Sequence, residues 1–169
     1  MARVFVALTF PDAVCDALAR DVRSLARYDR LARFTSSTDL HMTLAFLGEV
    51  NRTDAQRLSA ALRPLARLTP RELSLGRLGL FERSRVLWAG VTPAESLQPV
   101  ADAVRETITT LGLSYDRKPF KAHITVARNW RRPLPYVDLP ARSFTLQGPV
   151  LLESAQDPRT GLVRYRQIF

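Results

Sequence analysis

The chain contains only two histidines, and each opens the same four-residue phrase: His41-Met42-Thr43-Leu44 and His123-Ile124-Thr125-Val126. Given the threonine, leucine and valine content, agreement of both phrases by chance is roughly 3 in 10,000. Residues i and i+2 of an extended chain share a face, so each phrase sets an imidazole beside a hydroxyl with an aliphatic back. Two imidazoles suit acid–base catalysis of a displacement at phosphorus. One, neutral, accepts the proton of the attacking oxygen; the other, charged, protonates the leaving oxygen. Threonine hydroxyls can hold the non-bridging oxygens, and an arginine can offset developing charge. A metal centre wants three or four ligands, and Asp39, two residues before His41, is the one carboxylate at chelating spacing. No nucleophilic serine or cysteine is signalled at a strand-to-helix turn, so neither a metal nor a cofactor is expected.

The elements that must position these phrases follow from the spacing of apolar residues. A strand is predicted over Arg3 to Thr9, and a helix follows Pro11-Asp12, with Val14, Leu18, Val22 and Leu25 on one face. The first histidine strand runs from Leu40 to Leu47. A second helix covers Asn51 to Leu68, broken or kinked at Pro64. Leu73 to Phe81 and Arg85 to Val91 make a strand pair, and Pro93 to Leu111 a third helix with Gly112 as its stop. The second histidine strand spans Phe120 to Arg128; strands at Ser143 to Ser154 and Leu162 to Phe169 close the chain. The order βαβαββαβββ repeats strand, helix and histidine strand in each half, which predicts an α+β architecture of antiparallel sheets lining a cleft, with helices outside. Alternation puts His41, Thr43 and Ala45 on one face, and His123, Thr125 and Ala127 on another, the alanines leaving room for a ligand. By the same alternation Phe46 goes with the core, and Arg128 turns away from His123.

A chain of 169 residues can bury a core of its own, and 46% hydrophobic with 24% charged residues are ordinary globular proportions. We expect one domain, residues 1–169, of two intertwined lobes. The lone Cys15 excludes an internal disulfide and fits a reducing cytoplasm. No signal peptide or span of roughly 20 apolar residues is evident, so a membrane partner is not expected. Lysine plus arginine number 25 against 16 acids, for a net charge of +9, and only Lys118 and Lys121 are lysines. Arginine's planar fork matches phosphate, so the composition favours nucleic acid or nucleotide as partner.

At these residues the sequence resembles the 2H phosphoesterase superfamily, and within it the RNA 2′,3′-cyclic phosphodiesterases, also called 2′-5′ RNA ligases. The resemblance rests on Arg3 to Leu8, on Leu40 to Val50, on Arg85-Val86-Leu87-Trp88, on Arg117 to Arg128, and on Leu151 to Ser154 with Arg164-Tyr165. Ser37-Thr38-Asp39-Leu40 stands where members usually carry Pro-x-Asn-Leu. The resemblance implies a two-lobed, pseudo-two-fold fold and opening of a terminal 2′,3′-cyclic phosphate to a 2′-phosphomonoester. It further implies that His41 is proton donor to the departing ribose oxygen, that His123 is proton acceptor from water, and that Thr43 and Thr125 bind phosphate. Arg128 matches an arginine often found five residues after the second histidine. Phe46, Trp88 and Tyr165 are candidates for stacking on bases. The implied partner is RNA with a 2′,3′-cyclic phosphate end, tRNA fragments among them, with no stable protein partner. Alternative readings are a phosphodiesterase of small cyclic nucleotides or ADP-ribose cyclic phosphate, and a non-catalytic module that binds RNA ends or nucleotides. Ligation, the reverse of hydrolysis at the same site, is expected at most in vitro, since no ATP-binding motif is present to drive it.

Overall fold

Two antiparallel sheets carry the two histidine phrases, one each. In the computed structural model, which describes residues 2–169, the strands and helices run in chain order as follows. They are β1 (Ala2–Thr9), α1 (Asp12–Arg23), β2 (Arg33–Phe34), β3 (Met42–Val50), α2 (Arg52–Leu62) and β4 (Glu72–Phe81), then β5 (Val86–Thr92), α3 (Gln98–Thr110), β6 (Ile124–Arg128), β7 (Ser143–Thr145), β8 (Gln147–Gln156) and β9 (Val163–Gln167). The first sheet has the order β3-β1-β8-β9 and the second β2-β6-β5-β4-β7. Every paired strand runs antiparallel to its neighbour.

Helical spacing of apolar residues decides which faces are hidden. Cys15, Leu18 and Val22 of α1, Leu58 and Leu62 of α2, and Val100, Val104 and Ile108 of α3 are buried. They join Val4, Val6 and Leu8 of β1, Met42 and Leu44 of β3, and Ile124 and Val126 of β6 in one core cluster that spans both sheets. Full burial of each large aliphatic contributes about 1.5–3 kcal/mol. Asn51 caps α2: its Oδ1 accepts from the Asp54 backbone N–H at 2.9 Å, and its Nδ2 donates to the Asp54 carboxylate at 2.8 Å. Gly112, at φ +76°, ends α3, with Leu113 N–H donating to Ile108 O and Gly112 N–H to Thr109 O. No helix among the described residues is long and apolar enough to cross a membrane.

Three features differ from expectation. The histidine strands start at Met42 and Ile124, so each histidine precedes its ladder; a 3₁₀ turn, Ser37–Asp39, leads into the first. The second helix breaks at Pro64 as expected: it stops at Leu62 and continues as a 3₁₀ segment, Arg63–Leu68, with Pro64 in its first turn. The single strand expected over Ser143 to Ser154 is two: β7 pairs with β4 in one sheet and β8 with β1 in the other, with Leu146 between. The two-residue strand β2 has no counterpart in the expected order; it pairs with Ala127 and Arg128, at the end of β6 far from His123.

Candidate active site

Both imidazoles are oriented by the same device. His41 Nδ1–H donates to the carbonyl of Asp39, and His123 Nδ1–H to the carbonyl of Lys121, each at 2.7 Å. A carbonyl can only accept, so Nδ1 keeps its proton whether the ring is neutral or charged, and Nε2 is the nitrogen left to exchange protons. The turn before His41 is tied down in its own right. The buried Asp39 carboxylate accepts from Ser36 Oγ at 2.8 Å, from Arg164 at 2.8 Å and from the Tyr165 backbone N–H at 3.2 Å. That carboxylate is therefore committed to β9, while its own residue's carbonyl holds the ring.

The fourth residue of each phrase is a β-bulge. Along β1–β3, Val6 faces Ala45 and Ala7 faces Thr43, leaving Leu44 without a partner; along β5–β6, Leu87 faces Ala127 and Trp88 faces Thr125, leaving Val126 without one. The extra residue inverts the alternation of the residues that follow it, on β3 as far as a second bulge at Leu47. Leu44 and Ala45 are both buried, as are Val126 and Ala127; Ala127 belongs to the core alone, while Ala45, though buried, also lines the floor of the His123 hollow. Phe46 and Arg128, which simple alternation sends elsewhere, both turn into the cleft. Each bulge is held by its carbonyl. Arg105 Nε donates to Leu44 O at 3.3 Å, and Thr35 N–H donates to Val126 O at 3.0 Å, with Thr35 Oγ1 donating to Thr125 O at 3.0 Å.

The cleft has two parts. A hollow of about 660 Å³ is lined by His41, Thr43, Phe5, Phe46 and Tyr165, together with Arg3, Arg33, Arg128 and Arg164. A second, of about 570 Å³, is lined by His123 with Arg105, Lys118 and Lys121. Thr43 and Phe46 wall both, and β3 and β6 abut along the join of the sheets. Thr125 and Trp88 are half-buried, paired across β5–β6, and line neither hollow.

Aromatic rings brace both imidazoles. His41 lies 5.0 Å from Phe5 and 4.8 Å from Tyr165, the latter edge-on. His123 meets Phe81 edge-on at 5.0 Å and Trp88 at 6.2 Å. Trp88 lies flat on Gly79, where a Cβ would fall 2.0 Å from the indole, so only glycine fits there. The Lys121 ammonium sits 4.6 Å over the Trp88 ring, a favourable cation–π distance. Arg3, Phe5, Arg33, Phe81, Arg105, Lys121 and Arg164 were not singled out from the sequence as site residues. For Arg3 and Phe5 a signal existed, since they alternate with Val4, Val6 and Leu8 on β1; for the others the fold alone brings them in.

Electrostatics push both imidazoles the same way. Burial holds the His41 pKa below its ordinary value, helped by the charges of Arg128 and His123 and opposed by the bond to Asp39. Burial also lowers His123, helped by Lys121 and Arg128 and opposed by the bond to the Lys121 carbonyl. At neutral pH both rings of the free protein are mostly neutral.

A family model described as the 2'-5' RNA ligase superfamily matches residues 10–142. The chain belongs to this superfamily. Other proteins related to this 2′-5′ RNA ligase superfamily chain include an RNA 2',3'-cyclic phosphodiesterase of Geobacillus stearothermophilus, 37% identical over 123 residues; the match covers 68% of this chain but spans only 39% of that relative's length. Another, of Archaeoglobus fulgidus and also called RNA 2',3'-cyclic phosphodiesterase, is 32% identical over 133 residues, covering 77% of this chain and 74% of the relative. Among solved structures, E. coli LigT complexed with 3'-AMP superposes with a TM-score of 0.77 at 26% identity, over 99% of this chain and 95% of that one. The α+β fold with two antiparallel sheets is thus the fold of the superfamily.

Proposed function

We propose that this protein is a hydrolase that opens the terminal 2′,3′-cyclic phosphate of RNA to a 2′-phosphomonoester, using His41 and His123 as acid and base. The observation that carries this reading is the paired geometry: two imidazoles, each pinned at Nδ1 by a carbonyl two residues back, flank a cleft walled on both sides by Thr43. The names of the curated relatives support the substrate.

His123 Nε2 takes a proton from water as the water oxygen bonds to phosphorus. The bond from phosphorus to the ribose 3′ oxygen breaks, and His41 Nε2–H protonates that oxygen. One imidazole ends charged and the other neutral, and exchange with solvent resets them. Thr43 and Arg128, which line the cleft, bind the non-bridging oxygens, and Thr125, two residues after His123, is given the same role by the family resemblance alone. The ribose and base lie on the His41 side, where Phe46 and Tyr165 offer stacking faces, and water enters from the His123 side. A bound phosphate offsets Arg128 and raises the His41 pKa, which the acid role requires. Two single imidazole nitrogens set among arginines are a poor seat for a dication, so turnover should be unchanged in EDTA. The lone Cys15, whose thiol is pushed up to about 11 by burial with help from Asp12 and Asp16, fits the reducing cytoplasm.

Mass analysis of an RNA ending in 2′,3′-cyclic phosphate is the test. A 2′-phosphate is expected, a 3′-phosphate product would reverse the leaving group assigned to His41, and no reaction with any cyclic phosphate would sink the proposal. His41→Ala and His123→Ala should each lower kcat by about 10²–10⁴-fold.

A further inference from the structure

Beside the cleft, two loops enclose a separate hollow of about 460 Å³ lined by Arg27, Arg30, Arg131 and Arg132, with Tyr28, Asp29 and Leu31. The four arginines are exposed, and among the described residues none of them forms an ion pair. The single acid, Asp29, is buried and turned inward, its carboxylate accepting from the backbone N–H of Arg131 at 2.6 Å and of Leu31 at 3.0 Å. It fastens loop 27–31 to loop 129–132, and Asn129 Nδ2 adds a second tie to Leu31 O. The result is a preformed cationic surface whose shape is fixed by an anion that it hides.

This surface continues the cleft. Arg33 and Arg128 face each other across the β2–β6 ladder and both line the His41 hollow. Leu31 and Arg131 stand two and three residues beyond them, a distance on the order of 10 Å along the chain. In the reading proposed above, on which this inference rests, the ribose of the reacting end sits on the His41 side, so the rest of the strand leaves from there.

We infer that Arg27, Arg30, Arg131 and Arg132 bind the sugar–phosphate backbone of the substrate RNA a few nucleotides 5′ of the reacting end. Arginine forks match phosphate oxygens, and the Tyr28 ring, with the Arg27 guanidinium 5.0 Å over it, adds an exposed aromatic edge to the hollow. The surface supplies affinity for polymer without reading sequence, and leaves the chemistry to the cleft.

The test compares wild type, Arg30→Gln/Arg132→Gln and a charge-matched control, Arg63→Gln/Arg67→Gln, on the exposed 3₁₀ segment after α2. Affinity for a labelled single-stranded RNA ending in 2′-phosphate is read by fluorescence anisotropy across a salt series, and turnover is read with 2′,3′-cyclic AMP. The loop variant should bind RNA about tenfold more weakly at low salt, its log–log salt slope smaller by about 1.4, with the control unchanged and melting temperatures alike. Turnover of the cyclic mononucleotide should be the same in all three proteins. Equal weakening in the control, no weakening in the loop variant, or no RNA binding by wild type would each overturn the inference. Failure of wild type to turn over any cyclic phosphate would instead remove the proposed reaction, and the anisotropy would still decide the surface.

Discussion

Burial and the shared Arg128 set the protonation of both imidazoles. A base must be neutral and an acid charged, so the rate falls as pH drops below the pKa of His123 and as pH rises above that of His41. In the free protein both pKa values lie below 6.5, so the bell of kcat/KM against pH should peak on the acid side of 6.5. Bound phosphate draws the acid's pKa upward, so the basic limb of kcat should lie at higher pH than that of kcat/KM; coincident limbs would argue against the assignment. Arg128→Gln should move both flanks to higher pH and reduce kcat by about 10²-fold, as loss of a transition-state donor does. The two histidine phrases are legible in the sequence because type and i, i+2 spacing are local. The direction of Phe46 and Arg128 is not, because one unpaired residue, Leu44 or Val126, reverses it, and nothing in either phrase marks the bulge.

At the scale of elements, the bulges depend on groups distant in sequence. Thr35 lies on the segment that follows β2, and its two donations hold the backbone of Thr125 and Val126. Thr35→Val keeps the shape and removes the hydroxyl. It should cost about 1 kcal/mol in denaturant unfolding and lower kcat by up to about 10²-fold, because Arg128 is no longer held in place. Gly79→Ala drives a methyl into the Trp88 ring and should cost about 1–3 kcal/mol with a change in the near-ultraviolet circular dichroism of the tryptophans. The helices were legible from spacing and from stop signals such as Gly112. Strand β2 was not, since two residues carry no period, and the division of β7 from β8 was not, since Leu146 is as apolar as a strand interior.

At the scale of the whole molecule, the order of elements was enough to recognise two sheets with helices outside, and the arginine excess points to the polyanion of the proposed function. The pairing of β2 with β6 brings Arg33 and Arg128 to the cleft, and the other sheet brings Arg3 and Arg164. Histidines kept neutral by burial make stability depend on pH with a definite sign. Below about 6.5 the unfolded chain takes up protons that the native His41 and His123 resist, so stability present above that pH is lost as the pH falls through their native values. The melting temperature should therefore fall between pH 7 and pH 5, and the fall should be shallower in His41→Gln. Asp29, held below the usual carboxylate range chiefly by the Arg131 backbone N–H, adds its loss only at more acid pH.

The passage of the chain from one sheet to the other at Leu146 is one residue long, and Thr69 Oγ1 fastens its far side by donating to Gly148 O at 3.0 Å. A joint that short, set over a core common to both sheets, leaves few backbone torsions to absorb a rotation between them. The jaws of the cleft should then keep a set width, and a substrate analogue should bind without a change in the spacing of the two sheets. Accommodation then falls to the nucleic acid, and a frayed or single-stranded terminus, able to bend its last ribose into a gap of set width, should react faster than the blunt end of a stiff duplex.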